Sequence, residues 1–285
     1  MERDRFVWRA GPHVLECGRR TYVMGVLNVT PDSFSDGGTH LDPSAAVRAG
    51  LQMVMDGADI LDVGGESTRP GSDPVDADEE RERVVPVIKG LAAEVGIPLS
   101  IDTRKHQVAA AAIEHGATIV NDVTAGSDPH MFRIVREAGA GLCLMHMRGE
   151  PKTMQQDTRY DDVTAEVKSY LAGRVRAAVD EGVEWSRIAV DPGLGFGKSP
   201  EGNYVLMRRI AELLEPGRPV VVGPSRKSFI GKVLGTEVDE RLEGTAGAVA
   251  WLAGQGAHVV RVHDVKEMTR VVRVVDAIRT APENA

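Results

Sequence analysis

The sequence predicts an α/β protein of the (β/α)₈ TIM-barrel class, with a short N-terminal β-hairpin. Three observations predict it. Eight short, almost continuously apolar segments recur along the chain, as strands buried on both faces of a parallel sheet do. Helical patterns separate them, and strand–helix alternation feeds a parallel sheet. A polar residue closes each apolar segment, so eight polar ends would converge on one mouth.

The elements follow in order. Phe6 to Glu16 reads as two short strands around Gly11-Pro12, outside the repeat, and is expected to plug the far end of the barrel. The strands are expected at Tyr22–Val29, Ala58–Val63, Leu99–Ile101, Ala117–Val123, Gly141–Met147, Ile188–Val190, Pro219–Gly223 and Ala257–Val262. Helices are expected at Ser44–Met55, Glu79–Val95, His106–His115, Val163–Val179 and Arg241–Leu252, among others. Gly-Ala precedes a strand at Gly57-Ala58, Gly116-Ala117 and Gly256-Ala257, where glycine suits the end of the preceding helix. The charged run Asp76–Arg83 reads as a solvated helix start. No Gly-, Ser- or Pro-rich linker divides the chain, so residues 1–285 form one domain: a hairpin over 1–20 and a barrel over 21–285.

Composition narrows the function. A net charge of −8 argues against a general nucleic-acid or membrane surface. The N-terminus is charged rather than apolar, so it is no secretory signal, and the expected location is the cytoplasm. No apolar run approaches the ~20 residues that span a bilayer. Cys17 and Cys143 form no framework, and Cys143 sits in an apolar run, so a buried thiol is expected.

The strand ends carry the chemistry. They hold Asn28, Asp62, Asp102, Asn121-Asp122, His146, Asp191, Ser225–Ser228, and Arg261 with His263 and Asp264. Asp102, Asn121 and Asp191 offer two carboxylates and an amide, which suit a flat heterocycle rich in N–H donors. Lys227 can meet its carbonyl or ring nitrogen. Arg69, Arg261 and His263 add positive charge at a second location, which gives a heterocycle floor and an anion rim. The stretch after Val222 places two cations and two hydroxyls at a helix start, where free N–H groups favour an anion. A solvated basic turn would look the same in isolation.

Two patterns mislead. Gly193–Ser199 nearly spells a P-loop, but Pro192 stands where its first glycine belongs; it reads as a flexible loop. His146 and His263 suggest a metal pair, but no cysteine or close carboxylate spacing completes a zinc site. A magnesium ion bridging phosphates to one or two protein oxygens suits the residues better.

Several segments together resemble the dihydropteroate synthase family. They are Gly25–Gly38, Asp62–Gly71, Ser100–Lys105, Asn121–Val123, Met145–Gly149, Asp191–Lys198, Ser225–Gly231 and Arg261–Asp264, so the resemblance covers nearly the whole chain. It implies condensation of 6-hydroxymethyl-7,8-dihydropterin diphosphate with p-aminobenzoate. By similarity, Asp102, Asn121, Asp191, Lys227, Met145, Phe196 and Gly223 would bind the pterin. Asn28 would hold magnesium, and Asn28, Arg69, Arg261 and His263 the diphosphate. Phe34, Thr68, Pro70, Phe196 and Ser228 would form the p-aminobenzoate pocket. Asp36, Lys227, Arg261 and His263 would act in catalysis. The resemblance also implies a homodimer through the later helices, and closing loops at Thr30–Gly38 and Gly64–Ser72. Arg148 and Pro224 depart from the family pattern without touching a residue given a role. A methyltetrahydrofolate–corrinoid methyltransferase shares the Asp-Asn-Asp floor but needs neither a diphosphate rim nor SRKS. A non-catalytic paralogue should have lost Arg261, His263 or Lys227.

Overall fold

The computed structural model describes residues 5–30, 42–67, 71–214 and 217–282. A hairpin of β1 (Phe6–Ala10) and β2 (His13–Cys17) turns at Gly11-Pro12. Eight parallel strands follow: β3 (Tyr22–Asn28), β4 (Ile60–Gly64), β5 (Leu99–Asp102), β6 (Ile119–Asp122), β7 (Gly141–Met145), β8 (Ile188–Asp191), β9 (Val221–Val222) and β10 (Val259–Val262). Their order is β8-β7-β6-β5-β4-β3-β10-β9, and a parallel bridge between Val190 and Val220 joins the two ends. The sheet is thus a nearly closed barrel, as expected.

Helices fill the connections: α1 (Pro43–Met55), α2 (Ala77–Ala92), α3 (His106–Glu114), α4 (Met131–Ala138), α5 (Val163–Asp180), α6 (Pro200–Arg208), α7 (Ser228–Leu234), α8 (Leu242–Gly254) and α9 (Val265–Thr280). Their starts follow local chemistry. Asp42, Asp76, Asp162 and Ser199 each accept backbone N–H groups of the first turn, and Pro43 and Pro200 need no N–H there. The repeated glycines Gly57, Gly116 and Gly256 all have φ between 104° and 115°, which side chains rarely adopt. The charged run at the start of α2 differs from expectation at one place. Asp76, Asp78 and Glu79 serve the helix start, but Glu80 is buried because Lys105 draws it inward.

The barrel interior is layered, because inward side chains recur every second residue. The lowest layer is apolar: Met24, Ile60, Ile119, Cys143, Ala189, Val221 and Val259. Trp8, Ala10, Leu15 and Cys17 of the hairpin pack against it, so the hairpin does close that end. The Trp8 indole N–H also donates to the Arg187 carbonyl at 2.9 Å. Both cysteines are buried, and burial raises the Cys143 pKa further. Two residues above this layer, the same strands present Asp62, Asn121, Met145, Asp191, Gly223 and Arg261, joined by Asp102 from β5. A third step reaches Asn28, Ser225 and His263. The site is therefore an extension of the core's own period. Among the described residues, no helix is long and apolar enough to cross a membrane.

Candidate active site

The second layer surrounds an open cavity at the C-terminal mouth. Asp102, Asn121, Asp191, Met145, Gly223, Phe196, Lys227 and Arg261 all line it. The residues expected to bind a heterocycle are thus brought together around one space.

Arg261 ties one side of the floor. Its Nε donates to Asp62 Oδ2 at 2.5 Å, and its Nη2 donates to Asp102 Oδ2 at 2.6 Å. Asn121 Nδ2 donates to the same Asp62 oxygen at 3.0 Å. Burial works against the Arg261 charge, but the two carboxylates outweigh it and raise its pKa. For Asp102, burial dominates and raises the carboxyl pKa; Arg261 opposes it. Among the described residues, the other oxygens, Asp62 Oδ1 and Asp102 Oδ1, are buried without a hydrogen-bond partner. A buried carboxylate oxygen in that state is poised to accept an N–H donor. The floor and rim are consequently less separate than expected: Arg261 belongs to the floor. Period two puts it level with the carboxylates, which need a cation there.

Asp191 forms the opposite side. Burial raises its pKa to about 6, against the Gly193 N–H, which it accepts at 2.7 Å, and the charges of Lys227 and Arg261. Gly193 is required at that turn. Its φ is 66°, and a Cβ would fall 2.0 Å from the His146 carbonyl oxygen. The loop that follows is not the flexible one expected. Lys198, only 2% exposed, reaches back beneath it. Its ammonium donates to the carbonyls of Phe196 at 2.8 Å and Gly193 at 2.9 Å, and meets His146 Nδ1 at 2.9 Å. Burial lowers the Lys198 pKa to about 7. Burial, then the Lys198 charge, lowers that of His146 to about 3. His146 is therefore a neutral acceptor for lysine, which removes it from any metal pair with His263. The clamped loop holds Phe196 against the cavity, where Lys227 Nζ lies 4.1 Å from its ring centre.

Above the floor stand the residues after β9 and β10. Ser225 Oγ lies 3.0 Å from His263 Nδ1. Arg226, at φ 58°, pairs with Asp264 at 2.5 Å, as a structural ion pair. Ser228 opens α7 and is exposed. Asn28 ends β3, partly buried. Phe34, Asp36, Thr68, Arg69 and Pro70 lie outside the described residues, as does most of the first loop expected to close; of the second only Thr68–Pro70 do. The base of the second loop is described. Lys105 bridges Glu66 and Glu80, and Glu66 accepts the Val75 N–H at 3.2 Å. Burial raises the Glu80 pKa, against the Lys105 bond. Of the two departures, Arg148 stacks 3.8 Å from the Tyr160 ring centre and pairs with Glu166 at 2.9 Å, and Pro224 is buried.

Three residues gain importance that their sequence positions only hinted at. Asp62 stands inside the apolar run ILDVG, where a lone carboxylate needs a partner. Lys198 looked like part of a phosphate loop. Glu80 was hidden in an acidic run.

The family model described as pterin binding enzyme matches residues 24–263. The chain is 46% identical to dihydropteroate synthase of Escherichia coli (strain K12), over 92% of this chain and 93% of that one. It is 47% identical to dihydropteroate synthase of Mycobacterium leprae, over 90% and 92%. Among solved structures, Xanthomonas albilineans dihydropteroate synthase with 4-aminobenzoic acid superposes with a TM-score of 0.91, at 42% identity, covering 98% of this chain and 100% of that one. The same enzyme in complex with 7,8-dihydropteroate gives 0.87 at 40% identity, covering 97% and 100%. The chain belongs to the dihydropteroate synthase family of pterin-binding enzymes.

Proposed function

We propose that this chain joins 6-hydroxymethyl-7,8-dihydropterin diphosphate to p-aminobenzoate, giving 7,8-dihydropteroate and diphosphate. One observation carries the reading: Asp102, Asn121 and Asp191 line one cavity, and the buried Asp102 Oδ1 there has no hydrogen-bond partner among the described residues. A pterin ring supplies N–H donors along one edge. Lys227, on the same cavity, suits its carbonyl or ring nitrogen.

The carbon–oxygen bond of the hydroxymethyl group breaks, and diphosphate leaves with the electron pair. The positive charge spreads over the pterin. The amine of p-aminobenzoate then donates its lone pair to form the carbon–nitrogen bond and loses a proton. Asp102 and Asp191 favour the cation electrostatically, and Asp36 is assigned the same task near the reacting carbon. Arg69 and His263 hold the departing diphosphate, with Arg261 at the seam between the two parts of the substrate. Ser228 and the start of α7 meet the benzoate carboxylate, between Phe196 and the segments bearing Phe34, Thr68 and Pro70.

Magnesium fits the donor set. Among the described residues there is no cluster of three His, Cys, Asp or Glu side chains that could hold a metal. The single amide oxygen of Asn28 suits an ion that keeps waters and takes its other ligands from phosphates. Bound there, it would neutralise charge on the leaving diphosphate.

The reading includes a homodimer through the later helices, supported by exposed Val233, Trp251, Val274 and Ile278 on α7, α8 and α9. It also includes a cytosolic location, where buried cysteine thiols are ordinary. Mass detection of dihydropteroate from both substrates with magnesium tests it. Product that a sulfonamide suppresses is expected; no product from a folded protein would overturn it.

A further inference from the structure

We propose that Ser225 is a positioning residue that fixes the tautomer of His263, so that the ring offers an Nε2–H donor to the substrate's diphosphate. This rests on the diphosphate reading above.

Ser225 and His263 continue the inward rows of β9 and β10, two residues above Gly223 and Arg261. The Ser225 hydroxyl lies 3.2 Å from the His263 backbone nitrogen and 3.0 Å from its ring Nδ1. Ser225 is 4% exposed, and among the described residues its hydroxyl has no other hydrogen-bond neighbour. The backbone N–H can only donate, so Oγ accepts it. The hydroxyl proton then has one acceptor, Nδ1. A neutral ring that accepts at Nδ1 carries its proton on Nε2.

The surroundings keep the ring neutral. Burial, then the charges of Arg261 and Arg226, lower its pKa to about 3; Lys227 adds to this and Asp264 opposes it. Tautomer choice matters because diphosphate oxygens only accept. A ring bearing its proton on Nδ1 would turn a lone pair toward them. The Ser225 hydroxyl excludes that form by occupying Nδ1. The first serine of SRKS thereby acquires a task distinct from that of Ser228.

Long-range proton–nitrogen correlation on protein carrying ¹⁵N-histidine tests this, with His263 assigned by loss of its signals in His263→Gln. The wild type is expected to show Nδ1 unprotonated and hydrogen-bonded, and Nε2 protonated. Ser225→Ala should mix the two tautomers. It should weaken binding of inorganic diphosphate with magnesium roughly tenfold, the scale of one buried hydrogen bond, and leave 6-hydroxymethylpterin binding unchanged. Ser225→Thr, which retains the hydroxyl, should restore both. A wild-type ring protonated on Nδ1 overturns the proposal without any variant. So does a folded Ser225→Ala protein with unchanged tautomer and diphosphate affinity, while wild-type turnover leaves the proposed function standing. A wild type that neither binds diphosphate nor forms dihydropteroate overturns both.

Discussion

Arg261 and Asp102 face each other across the barrel mouth, guanidinium Nη2 to carboxylate Oδ2 at 2.6 Å, and the same guanidinium holds Asp62. The two strands are separated by β3 and β4 in the sheet, so one side chain fastens opposite parts of the wall. Removing it leaves two buried carboxylates without the cation hydrogen-bonded to both. Arg261→Met is expected to cost about 3–5 kcal/mol of stability, the usual scale for breaking a buried ion pair from one side. Denaturant titration at neutral pH checks it. Part of the loss should be recovered at low pH, where the carboxylates protonate.

The pH dependence of pterin binding follows from Asp191. Its pKa lies near 6 in the folded protein, against about 3.9 for an ordinary aspartate. The folded carboxyl thus holds its proton more tightly than the unfolded one. The stability it contributes is complete below about 4 and is lost as pH rises through about 6. Ligand binding has the opposite sign, because only the ionised form accepts from two N–H groups. Calorimetry with 6-hydroxymethylpterin should show affinity rising with pH through about 6, with a second contribution from Asp102. Asp191→Asn should weaken binding and remove the lower part of that rise. An unchanged profile would contradict the assignment.

Lys198 makes a different prediction, one that couples a loop to the site. Lys198→Met strands the carbonyls of Gly193 and Phe196, each worth about 1–3 kcal/mol if left unsatisfied. Thermal unfolding should fall accordingly. Because Phe196 sits on this loop, KM values for both substrates should rise, while Arg148→Ala, on the outer side, should change them little. Equal effects from the two variants would argue against a clamp.

Much of this was readable from the chain. The eight strands were visible because buried parallel strands are nearly all apolar, and the mouth because a polar residue two steps beyond an apolar one shares its face. Spacing along a chain cannot say which carboxylate a cation meets across a barrel. The sequence therefore places Arg261 only in an anion rim, whereas the fold also pairs it with Asp62 and Asp102 in the floor. The Gly193–Gly197 loop suggested freedom because glycines permit it. Its order comes from Lys198 and from His146 on a different strand. Glu80 reads as solvated helix charge in the sequence, since the cation that buries it, Lys105, lies 25 residues away.

The central claim is that the polar row above the apolar barrel layer is one pterin floor. A crystal structure of the protein with 6-hydroxymethylpterin tests it most directly. The ring is predicted to lie between Asp102, Asn121 and Asp191, with nitrogen-to-oxygen distances of about 2.7–3.2 Å, and with Lys227 over Phe196 at its edge. A ring bound elsewhere would contradict it, for instance in the smaller cavity lined by Glu66, Glu80 and Thr103.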